Sequence, residues 1–314
     1  MLTLIQLKSK LKQDLTIINK EIEKNLTTTQ DTTLKTIYQH ILNSQGKQVR
    51  SMLMVLIATA KQPSLPTNLH TIAAAIELIH LASLVHDDII DAAETRRNQA
   101  SVNAKFGQNN AIISGVHIYA SAYQYIAKVN NTDVLMSITN AVSDLCEGES
   151  QQVNQRHHFN MTEQEYWHIV YLKTSALFRA ACESAGYLCT MSTKEIELWQ
   201  QFGCLLGDIF QLSDDYLDIF DTNNALNKKI DQDFITGDIT LPMILAAKIC
   251  SSNDPEIIKN TLNNQKQTIG ETIKRYILER ESNAKEVLEI LKTTYDSNTQ
   301  NIEGLLRLIT DRIE

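Results

Sequence analysis

The sequence predicts an all-α fold, a single large bundle of about a dozen helices. The 314 residues include only 10 glycines and 4 prolines, whereas average proteins contain roughly 7% and about 5% of these residues. A fold with many turns is therefore disfavoured. Apolar side chains recur three or four residues apart along most of the chain, which is the helical period. Because no linker, low-complexity tract or solenoid repeat divides it, we predict one domain over residues 1–314.

The first half of the chain contains five predicted helices. Leucines and isoleucines near the N-terminus lie mostly three or four residues apart, as in an amphipathic helix. Gln45 and Gly46 interrupt the pattern, and an apolar helix follows that ends before Pro63. The third helix is the most apolar segment, and it ends in a cluster of acidic residues. These helices cover residues 2–25, 51–60, 71–91, 110–128 and 133–149.

The second half contains seven predicted helices. Thr162, with Glu165 three residues on, is the expected N-cap of the first of them, and Pro242 suits the first turn of the third. The polar segment Asp221–Gly237 is the expected long loop. These helices cover residues 162–188, 193–219, 241–249, 255–263, 268–280, 283–294 and 299–313.

The composition narrows the class of function. The formal net charge is −8, and without a compensating basic cluster this argues against a nucleic-acid partner. The apolar stretch 71–85 contains Glu77 and His80, so we expect it to be too short and too polar to span a membrane. The N-terminus lacks a signal-peptide core, and the five cysteines form no CxxC pair. We expect a soluble cytoplasmic protein with reduced cysteines.

Two aspartate triplets with the spacing DDxxD each follow an apolar helix. They are Asp87, Asp88 and Asp91, and Asp214, Asp215 and Asp218. The first and last residues of each triplet lie on one helix face, one turn apart, where like charges repel. A divalent cation would relieve this repulsion, and carboxylate oxygens suit Mg²⁺ that also binds substrate phosphates. A single triplet is equally compatible with a solvated helix end, but two copies favour metal binding.

Basic residues accompany both triplets. Any one basic pair is more typical of a solvated surface than of a ligand site. In combination with two acidic sites, however, the set indicates a pocket for two polyanions bridged by metal. The basic residues are Lys47, Arg50, Arg96, Arg97, Lys173, Lys228 and Lys229.

The chain resembles the trans-type polyprenyl diphosphate synthase family over nearly its whole length, most of all the bacterial octaprenyl diphosphate synthases that make quinone side chains. The motifs that carry the resemblance are specific in order and spacing: GKQVR at 46–50, ELIHLASLVHDDIIDAAETRRNQASVNAKFG at 77–107, EGE at 147–149, YLKTSALF at 171–178, FQLSDDYLD at 210–218 and LNKKIDQDFITGDITLP at 226–242. The resemblance implies a helical bundle of the isoprenoid synthase type around a deep central cavity, and a homodimer.

The resemblance also implies an activity, the condensation of isopentenyl diphosphate with an allylic diphosphate. The six aspartates would hold three Mg²⁺ ions on the allylic diphosphate. Contacts to the same diphosphate would come from Arg96, Lys173 and Lys228. The diphosphate of isopentenyl diphosphate would be bound by Lys47, Arg50, His80 and Arg97. The developing allylic cation would be faced by Thr174, Gln211 and the carbonyl of Lys173.

These roles are chemically consistent with one another. Metal ions and cations stabilise the charge that grows on a departing diphosphate. A dry apolar pocket keeps water away from the carbocation. The departing diphosphate can accept the proton, so we expect no dedicated base.

Several residues depart from the pattern of the family, among them Ser51, which stands where proline commonly follows the arginine. Gln45 stands where the family usually has glycine, and Val116 stands where a carboxylate is usual. Asp238 replaces a residue that is often basic, which puts the third cation of the allylic site in doubt, and Lys229 is the candidate replacement. We expect reduced but real activity.

Small residues before the first triplet favour a long product. Ala82 and Ser83 lie about one helical turn before Asp87, where short-chain relatives carry a bulky aromatic residue that closes the tunnel. Ordinary helix packing also favours such small residues. We expect a product near eight isoprene units. The candidates for a deeper floor, on the next two helices, are Tyr123, Tyr125, Ile126 and Ile138.

Other interpretations stay open. Glu77-x-x-His80 and Glu165-x-x-His168 have the ligand spacing of di-iron helical bundles, but this class leaves both triplets unexplained. The chain could also be a shorter-chain geranylgeranyl or farnesyl diphosphate synthase, or a non-catalytic partner subunit of a heteromeric synthase. A terpene cyclase is a further alternative, although cyclases generally lack the GKxxR and RR motifs.

Overall fold

The helical content of the chain matches the predicted class. The computed structural model describes residues 4–43, 46–220 and 234–313. Of the described residues, 81% are helical and almost none are in strands, so the all-α prediction is confirmed. The described residues form 15 α-helices, one π-helical turn, one short 3₁₀ helix and one two-stranded hairpin. Most connections between consecutive described helices are short, which agrees with the small number of glycines and prolines.

The helices follow one another in chain order. The first seven are α1 (Leu4–Lys10), α2 (Lys12–Thr27), α3 (Thr32–Leu42), α4 (Val49–Lys61), α5 (Leu69–Ile90), α6 (Val102–Phe106) and α7 (Gln108–Val129). An antiparallel hairpin between α5 and α6 consists of β1 (Thr95–Arg96) and β2 (Gln99–Ala100). The later helices are α8 (Thr132–Asn154), α9 (Glu163–Val170), α10 (Ala176–Leu188), α11 (Thr193–Phe220), α12 (Leu241–Cys250), α13 (Pro255–Asn264), α14 (Lys266–Tyr295) and α15 (Gln300–Thr310).

The N-terminal helices differ from the prediction. The predicted helix 2–25 is interrupted at Leu11, whose φ of −94° and ψ of 10° depart from helical values between α1 and α2. Helix α3 is absent from the prediction, because only Ile37, Tyr38 and Ile41 form its buried face. Its start has a clear cap, since the side chain of Asp31 accepts a backbone N–H at 2.8 Å.

The predicted helix 162–188 contains a widened turn. Thr162 caps α9 in a capping box with Glu165, as predicted. Residues Tyr171–Ser175 then adopt π-helical hydrogen bonding before α10 begins. A π turn accommodates one extra residue and occurs frequently at functional sites. The apolar periodicity of the sequence continues across the π turn, so the periodicity could not predict this turn.

Residues 266–295 form one helix, α14, where the sequence predicted separate helices over 268–280 and 283–294. The exposed Ser282 and Asn283 weaken the apolar pattern at this point, but neither residue type breaks a helix. Glu281 and Lys285 form an ion pair of 2.7 Å across the predicted gap. The predicted break is therefore wrong.

One compact unit, the α5 unit, contains the described residues of Ile5–Thr139 and Ala181–Ser192. Helix α5 packs against α2, α4 and α7. By length and composition this helix could cross a membrane, with a mean hydropathy of 1.4 over 18 residues, so the expectation that it is too short and too polar is wrong. However, 56% of that window is buried, as in the core helix of a globular unit.

A second compact unit, the α11 unit, contains the described residues of Asn140–Ala180 and Thr193–Glu314. Helix α11 packs against α14, α15 and the π turn. Its Trp199, Phe202 and Leu206 have no exposed surface, so the second aspartate triplet ends a helix that is anchored in an apolar core. The prediction of a single domain over 1–314 stays a prediction.

A proline substituted in the middle of α14 would test whether that helix is continuous. Ser282→Pro removes a backbone N–H and places a ring against the preceding turn, so we expect the free energy of unfolding to fall by about 3 kcal/mol. Ser282→Ala at the same exposed site is the control and should raise it by about 0.5 kcal/mol. Chemical denaturation measures both changes. Equal stability of the two variants would show that α14 is broken at this site.

Candidate active site

The first aspartate triplet lies at the C-terminal end of α5. The backbone N–H of Asp91 donates to the carbonyl of Asp87 at 2.9 Å, so these two residues are one turn apart. Asp88 is only 2% exposed, and its Oδ1 accepts a hydrogen bond from Nε of Arg96 at 2.7 Å. Burial raises the pKa of Asp88, and the charge of Arg96 opposes this rise. The middle carboxylate is thus held by an arginine, whereas the side chains of the outer two have exposed surface.

The β1–β2 hairpin brings two arginines beside α5. Arg97 and Asn98 form its turn with φ values of 51° and 63°, the left-handed conformation that two-residue hairpin turns favour. Arg96 thereby reaches Asp88. The guanidinium of Arg97 reaches Gly46, where a Cβ atom would lie 2.8 Å from Nη2. The glycine of the GKQVR motif therefore lets the guanidinium pack against the backbone.

A cavity of about 300 Å³ opens beside these arginines in the α5 unit. Glu77 lies in its wall, and Oε1 of Glu77 accepts the backbone N–H of Ser51 at 3.0 Å. The cavity is lined by two residues of the GKQVR motif and by two of the residues predicted to bind isopentenyl diphosphate. These lining residues are Gly46, Gln48, His80 and Arg97.

His80 is surrounded by positive charge. Burial, followed by the charges of Arg50, Arg97 and Arg96, holds the pKa of His80 well below its usual range. The imidazole is therefore neutral at pH 7 and can donate one hydrogen bond. Arg50 is buried in the first turn of α4, and Lys47 is exposed just before that helix. Of the four residues predicted to bind isopentenyl diphosphate, His80 and Arg97 therefore line the cavity, and Arg50 is close enough to His80 to act on its pKa.

The second triplet, at the end of α11, repeats the arrangement of the first. Asp215 is 4% exposed and accepts hydrogen bonds from the hydroxyl of Tyr166 at 2.7 Å and the side-chain amide of Gln211 at 2.9 Å. Burial raises the pKa of Asp215 to about 6, and the hydrogen bonds from Tyr166 and Gln211 oppose this rise. Asp214 and Asp218 are partly exposed. Again the middle carboxylate is held within the fold.

A basic residue near the C-terminus contacts the second triplet. Arg312 lies in the 3₁₀ helix Asp311–Ile313, and its Nη2 donates to Oδ1 of Asp214 at 2.5 Å. Its guanidinium carbon lies 5.2 Å from the centre of the Phe210 ring. The sequence analysis missed Arg312 because no motif includes it and its partner is 98 positions away.

The π turn presents two of the predicted site residues. Lys173 forms a close ion pair with Glu149, the last residue of the EGE motif. Oγ1 of Thr174 donates to Oε1 of Gln211 at 3.0 Å. Because the amide of Gln211 donates to Asp215, a chain of hydrogen bonds connects the π turn to the second triplet.

Asp238 is paired within the fold by a residue that the sequence analysis missed. Nε of Arg156 donates to Oδ1 of Asp238 at 2.8 Å. Burial alone would raise the pKa of Asp238, but its hydrogen bonds and the charge of Arg156 together lower it. The carboxylate is therefore ionised and neutralised by Arg156. Lys229, the candidate replacement, lies outside the described residues, as do Lys228 and Gln45.

The residues predicted to set product length all lie in the α5 unit. The hydroxyl of Ser83 donates to a backbone carbonyl of α5 at 2.9 Å. Tyr123 and Tyr125 are both on α7. The hydroxyl of Tyr125 donates to a backbone carbonyl of α2 at 2.9 Å, and Tyr123 is partly buried. Their role in product length stays a prediction. Three further candidates have at most 1% of their surface exposed, and they are Ala82, Ile126 and Ile138.

The glutamates of the two Glu-x-x-His pairs make other contacts. Oε2 of Glu165 accepts the N–H and the hydroxyl of Thr162 at 2.8 Å each, and these bonds lower the pKa of Glu165. Glu77 accepts a backbone N–H, as described above. Because Glu165 serves as a helix cap, the di-iron interpretation is disfavoured. Among the described residues, no group of three His, Cys, Asp or Glu side chains could hold a metal ion.

Comparison with known proteins places the chain in a family. Residues 31–279 match the polyprenyl synthetase family. The chain is similar to the octaprenyl diphosphate synthase of Escherichia coli, with 35% identity over 224 residues that cover 71% of this chain and 69% of that protein. It is also similar to a short chain isoprenyl diphosphate synthase of Methanothermobacter thermautotrophicus, with 30% identity over 242 residues, or 76% and 74% of the two chains.

A solved structure has the same fold. The polyprenyl synthase of Caulobacter crescentus, complexed with calcium and isoprenyl diphosphate, superimposes with a TM-score of 0.88 at 22% identity, covering 99% of this chain and 98% of that one. The chain belongs to the polyprenyl synthetase family. It is a prenyltransferase of the trans-polyprenyl diphosphate synthase class. Its relatives include long-chain and short-chain enzymes, so membership does not determine the product.

The neutral state of His80 predicts how stability depends on pH. The ordinary pKa of histidine is 6.5, and the folded value is well below it. As the pH falls through the unfolded pKa, only the unfolded chain binds the proton, so stability is lost by up to about 1.4 kcal/mol per pH unit. His80→Asn cannot titrate, and its unfolding free energy should therefore fall less than that of the wild type when the pH is lowered from about 7 to about 5.

His158→Asn is the control for this experiment, because His158 is exposed. Its unfolding free energy should follow that of the wild type across the same pH range. Urea denaturation at each pH measures all three proteins. Identical pH profiles for His80→Asn and the wild type would show that His80 is not held neutral by the fold.

Proposed function

We propose that this chain is a long-chain trans-polyprenyl diphosphate synthase that condenses isopentenyl diphosphate with an allylic diphosphate. One observation carries the proposal: each aspartate triplet has a middle carboxylate held by the fold and two outer carboxylates with exposed surface. Similarity to an octaprenyl diphosphate synthase supports a long product. We also propose a product near eight isoprene units, a role in making a quinone side chain and a cytoplasmic location.

Mg²⁺ suits the oxygen donors of both triplets. This ion is commonly bound by one or two carboxylates together with waters and substrate phosphates, so a pair of outer aspartates is a sufficient protein contribution. Calcium in the structure of the Caulobacter relative supports metal-dependent binding of a diphosphate. When bound, three such ions would neutralise the charge of the leaving diphosphate. The proposed direct ligands are Asp87, Asp91, Asp214 and Asp218.

The cavity beside His80 is the proposed site for isopentenyl diphosphate. The planar guanidinium of Arg97 can bind phosphate oxygens through two parallel hydrogen bonds. Neutral His80 can donate a third hydrogen bond. Arg50 and Lys47 add positive charge to the same region. The cavity volume of about 300 Å³ is at the lower end of the range for small-molecule sites.

Residues at the π turn suit the formation of an allylic cation. Cleavage of the allylic C–O bond leaves both electrons on the diphosphate and positive charge on carbon. The side-chain oxygens of Thr174 and Gln211 carry partial negative charge and are held in place by their mutual hydrogen bond, so they can stabilise this cation without reorganising. The alkene of isopentenyl diphosphate then attacks the cation. The proton lost from the product passes to the departing diphosphate.

Product formation tests this function directly. Incubation with labelled isopentenyl diphosphate, farnesyl diphosphate and Mg²⁺ should give a product near eight isoprene units, and chelation of the metal should abolish it. Asp218→Asn should lower kcat at least about a hundredfold, because an outer carboxylate is lost. Glu197→Gln, at an exposed position of the same helix, should leave kcat unchanged. Failure to make product from any allylic primer would contradict the proposal and favour the alternative that the chain is a non-catalytic partner subunit of a heteromeric synthase.

Ala82 tests the origin of product length. If a growing chain passes this position, the ring of Ala82→Phe should shorten the main product by several isoprene units. Ala74→Phe is the matched control, because Ala74 lies two turns earlier on α5 and is equally buried; it should keep the product length. Where the bulky variant does not fold, Ala82→Leu replaces it. An unchanged product distribution in a folded Ala82 variant would remove this residue from the determination of length.

A second copy of the chain is the proposed partner. Helix α7 and the start of α8 carry large apolar side chains that are exposed in a single chain, which is unusual for a surface without a partner. Because the family resemblance implies a homodimer, we assign this surface to the dimer contact. Its side chains are Ile112, Ile113, Val116, Leu135 and Met136.

Charge placed on this surface tests the homodimer. Ile113, which is 56% exposed, occurs in both halves of a twofold contact, so Ile113→Glu changes the interface twice. We expect the dimer dissociation constant to rise at least about tenfold. Gln124→Glu adds the same charge at an exposed polar site of α7 and should have no effect. Sedimentation measures both, and a wild-type monomer or an unaffected Ile113→Glu dimer would contradict this assignment.

A further inference from the structure

A carboxylate outside both triplets lies next to the π turn. Asp208 is on α11, six residues before Asp214, and its side chain is 23% exposed. Oδ1 accepts a hydrogen bond from Oγ of Ser175 at 2.6 Å, and Ser175 is the last residue of the π turn. This bond joins two helices at the point where the helical register changes.

Arginine holds the other oxygen of this carboxylate. Nε of Arg280, on α14, donates to Oδ2 of Asp208 at 3.3 Å. The guanidinium carbon of Arg280 lies 3.8 Å from the centre of the Trp167 ring, which is a close cation–π contact. The π turn and α14 therefore both bond to this carboxylate of α11, and Arg280 also contacts α9. Burial raises the pKa of Asp208, while the bonds from Ser175 and Arg280 oppose this rise.

Two glycines allow neighbouring helices to approach the π turn closely. A Cβ atom on Gly207 would lie 2.5 Å from Cα of Ser175, and a Cβ atom on Gly148 would lie 2.7 Å from Cβ of Leu172. Each distance is shorter than real carbon contacts allow. The π turn is thus packed against α8 and α11. Two side-chain hydrogen bonds connect it to α11, that of Thr174 to Gln211 and that of Ser175 to Asp208.

We infer that Asp208, anchored by Arg280, is a positioning residue that holds the π turn in register through Ser175, so that Thr174 and Lys173 face the allylic substrate. The physical reason is the geometry of the helix. Each residue of an α-helix advances by about 100° around the axis, so loss of the extra residue from the turn would rotate Thr174 away from Gln211. The inference rests on the proposed function, but the geometry of the turn can be measured without substrate.

Ser175→Ala tests this inference, because it removes the bond and leaves Asp208 paired with Arg280. Ser184→Ala is the matched control: Ser184 is fully buried on α10, and its hydroxyl has no hydrogen-bond partner among the described residues. We expect kcat to fall about tenfold in Ser175→Ala and to stay within about twofold of the wild type in Ser184→Ala. The KM values for both diphosphates should change less than about threefold, since binding groups are retained.

Amide hydrogen exchange of residues 171–178 provides the readout without substrate. We expect exchange at least about tenfold faster in Ser175→Ala than in the wild type, with Ser184→Ala unchanged. Unchanged exchange, or equal kcat values for the two serine variants, would overturn the inference. Exchange remains informative even if the wild type makes no product, so failure of the proposed function and failure of this inference give different results.

A double-mutant cycle provides a second test of the same link. Asp208→Ala removes the acceptor, so Ser175→Ala combined with Asp208→Ala should lower kcat no further than Asp208→Ala alone. Additive losses would contradict the link. Where Asp208→Ala does not fold because Arg280 loses its partner, the comparison of Ser175→Ala with Ser184→Ala decides the question.

Discussion

Repulsion between carboxylates at the end of an apolar helix is the constraint on which the site depends. Three aspartates within five residues cannot all remain ionised and close together without compensation. The fold compensates by burying the middle residue of each triplet and satisfying its oxygens. Asp88 accepts a hydrogen bond from Arg96, and Asp215 accepts hydrogen bonds from Tyr166 and Gln211. The outer aspartates are then separated by one turn and can share a cation.

The two triplets are compensated in chemically different ways. A guanidinium stabilises the ionised form of Asp88, whereas a phenol and an amide provide neutral donors to Asp215, whose pKa is about 6. Gln211 also accepts a hydrogen bond from Thr174, so the second triplet is connected to the π turn. The C-terminal end of α11 and the π turn are therefore connected by one network of hydrogen bonds within the α11 unit.

The sequence could predict what depends on neighbouring residues. Apolar periodicity predicted the all-α class and most helices, and the DDxxD spacing predicted both triplets. Contacts between residues far apart in the sequence could not be predicted from such patterns. Tyr166 and Arg312, for example, bond to residues of the second triplet that are 49 and 98 positions away. The π turn was missed because apolar residues continue through it. Arg156 was missed because its partner, Asp238, is 82 positions away.

A crystal structure with Mn²⁺ and inorganic pyrophosphate tests the division between outer and middle aspartates most directly. Mn²⁺ takes the same oxygen ligands as Mg²⁺, and its anomalous signal identifies the ion. We predict that Mn²⁺ is bound by the outer aspartates of each triplet, while Asp88 keeps its bond to Arg96 and Asp215 keeps its bond to Tyr166. Mn²⁺ bound directly by Asp88 or Asp215, with those hydrogen bonds broken, would contradict this division.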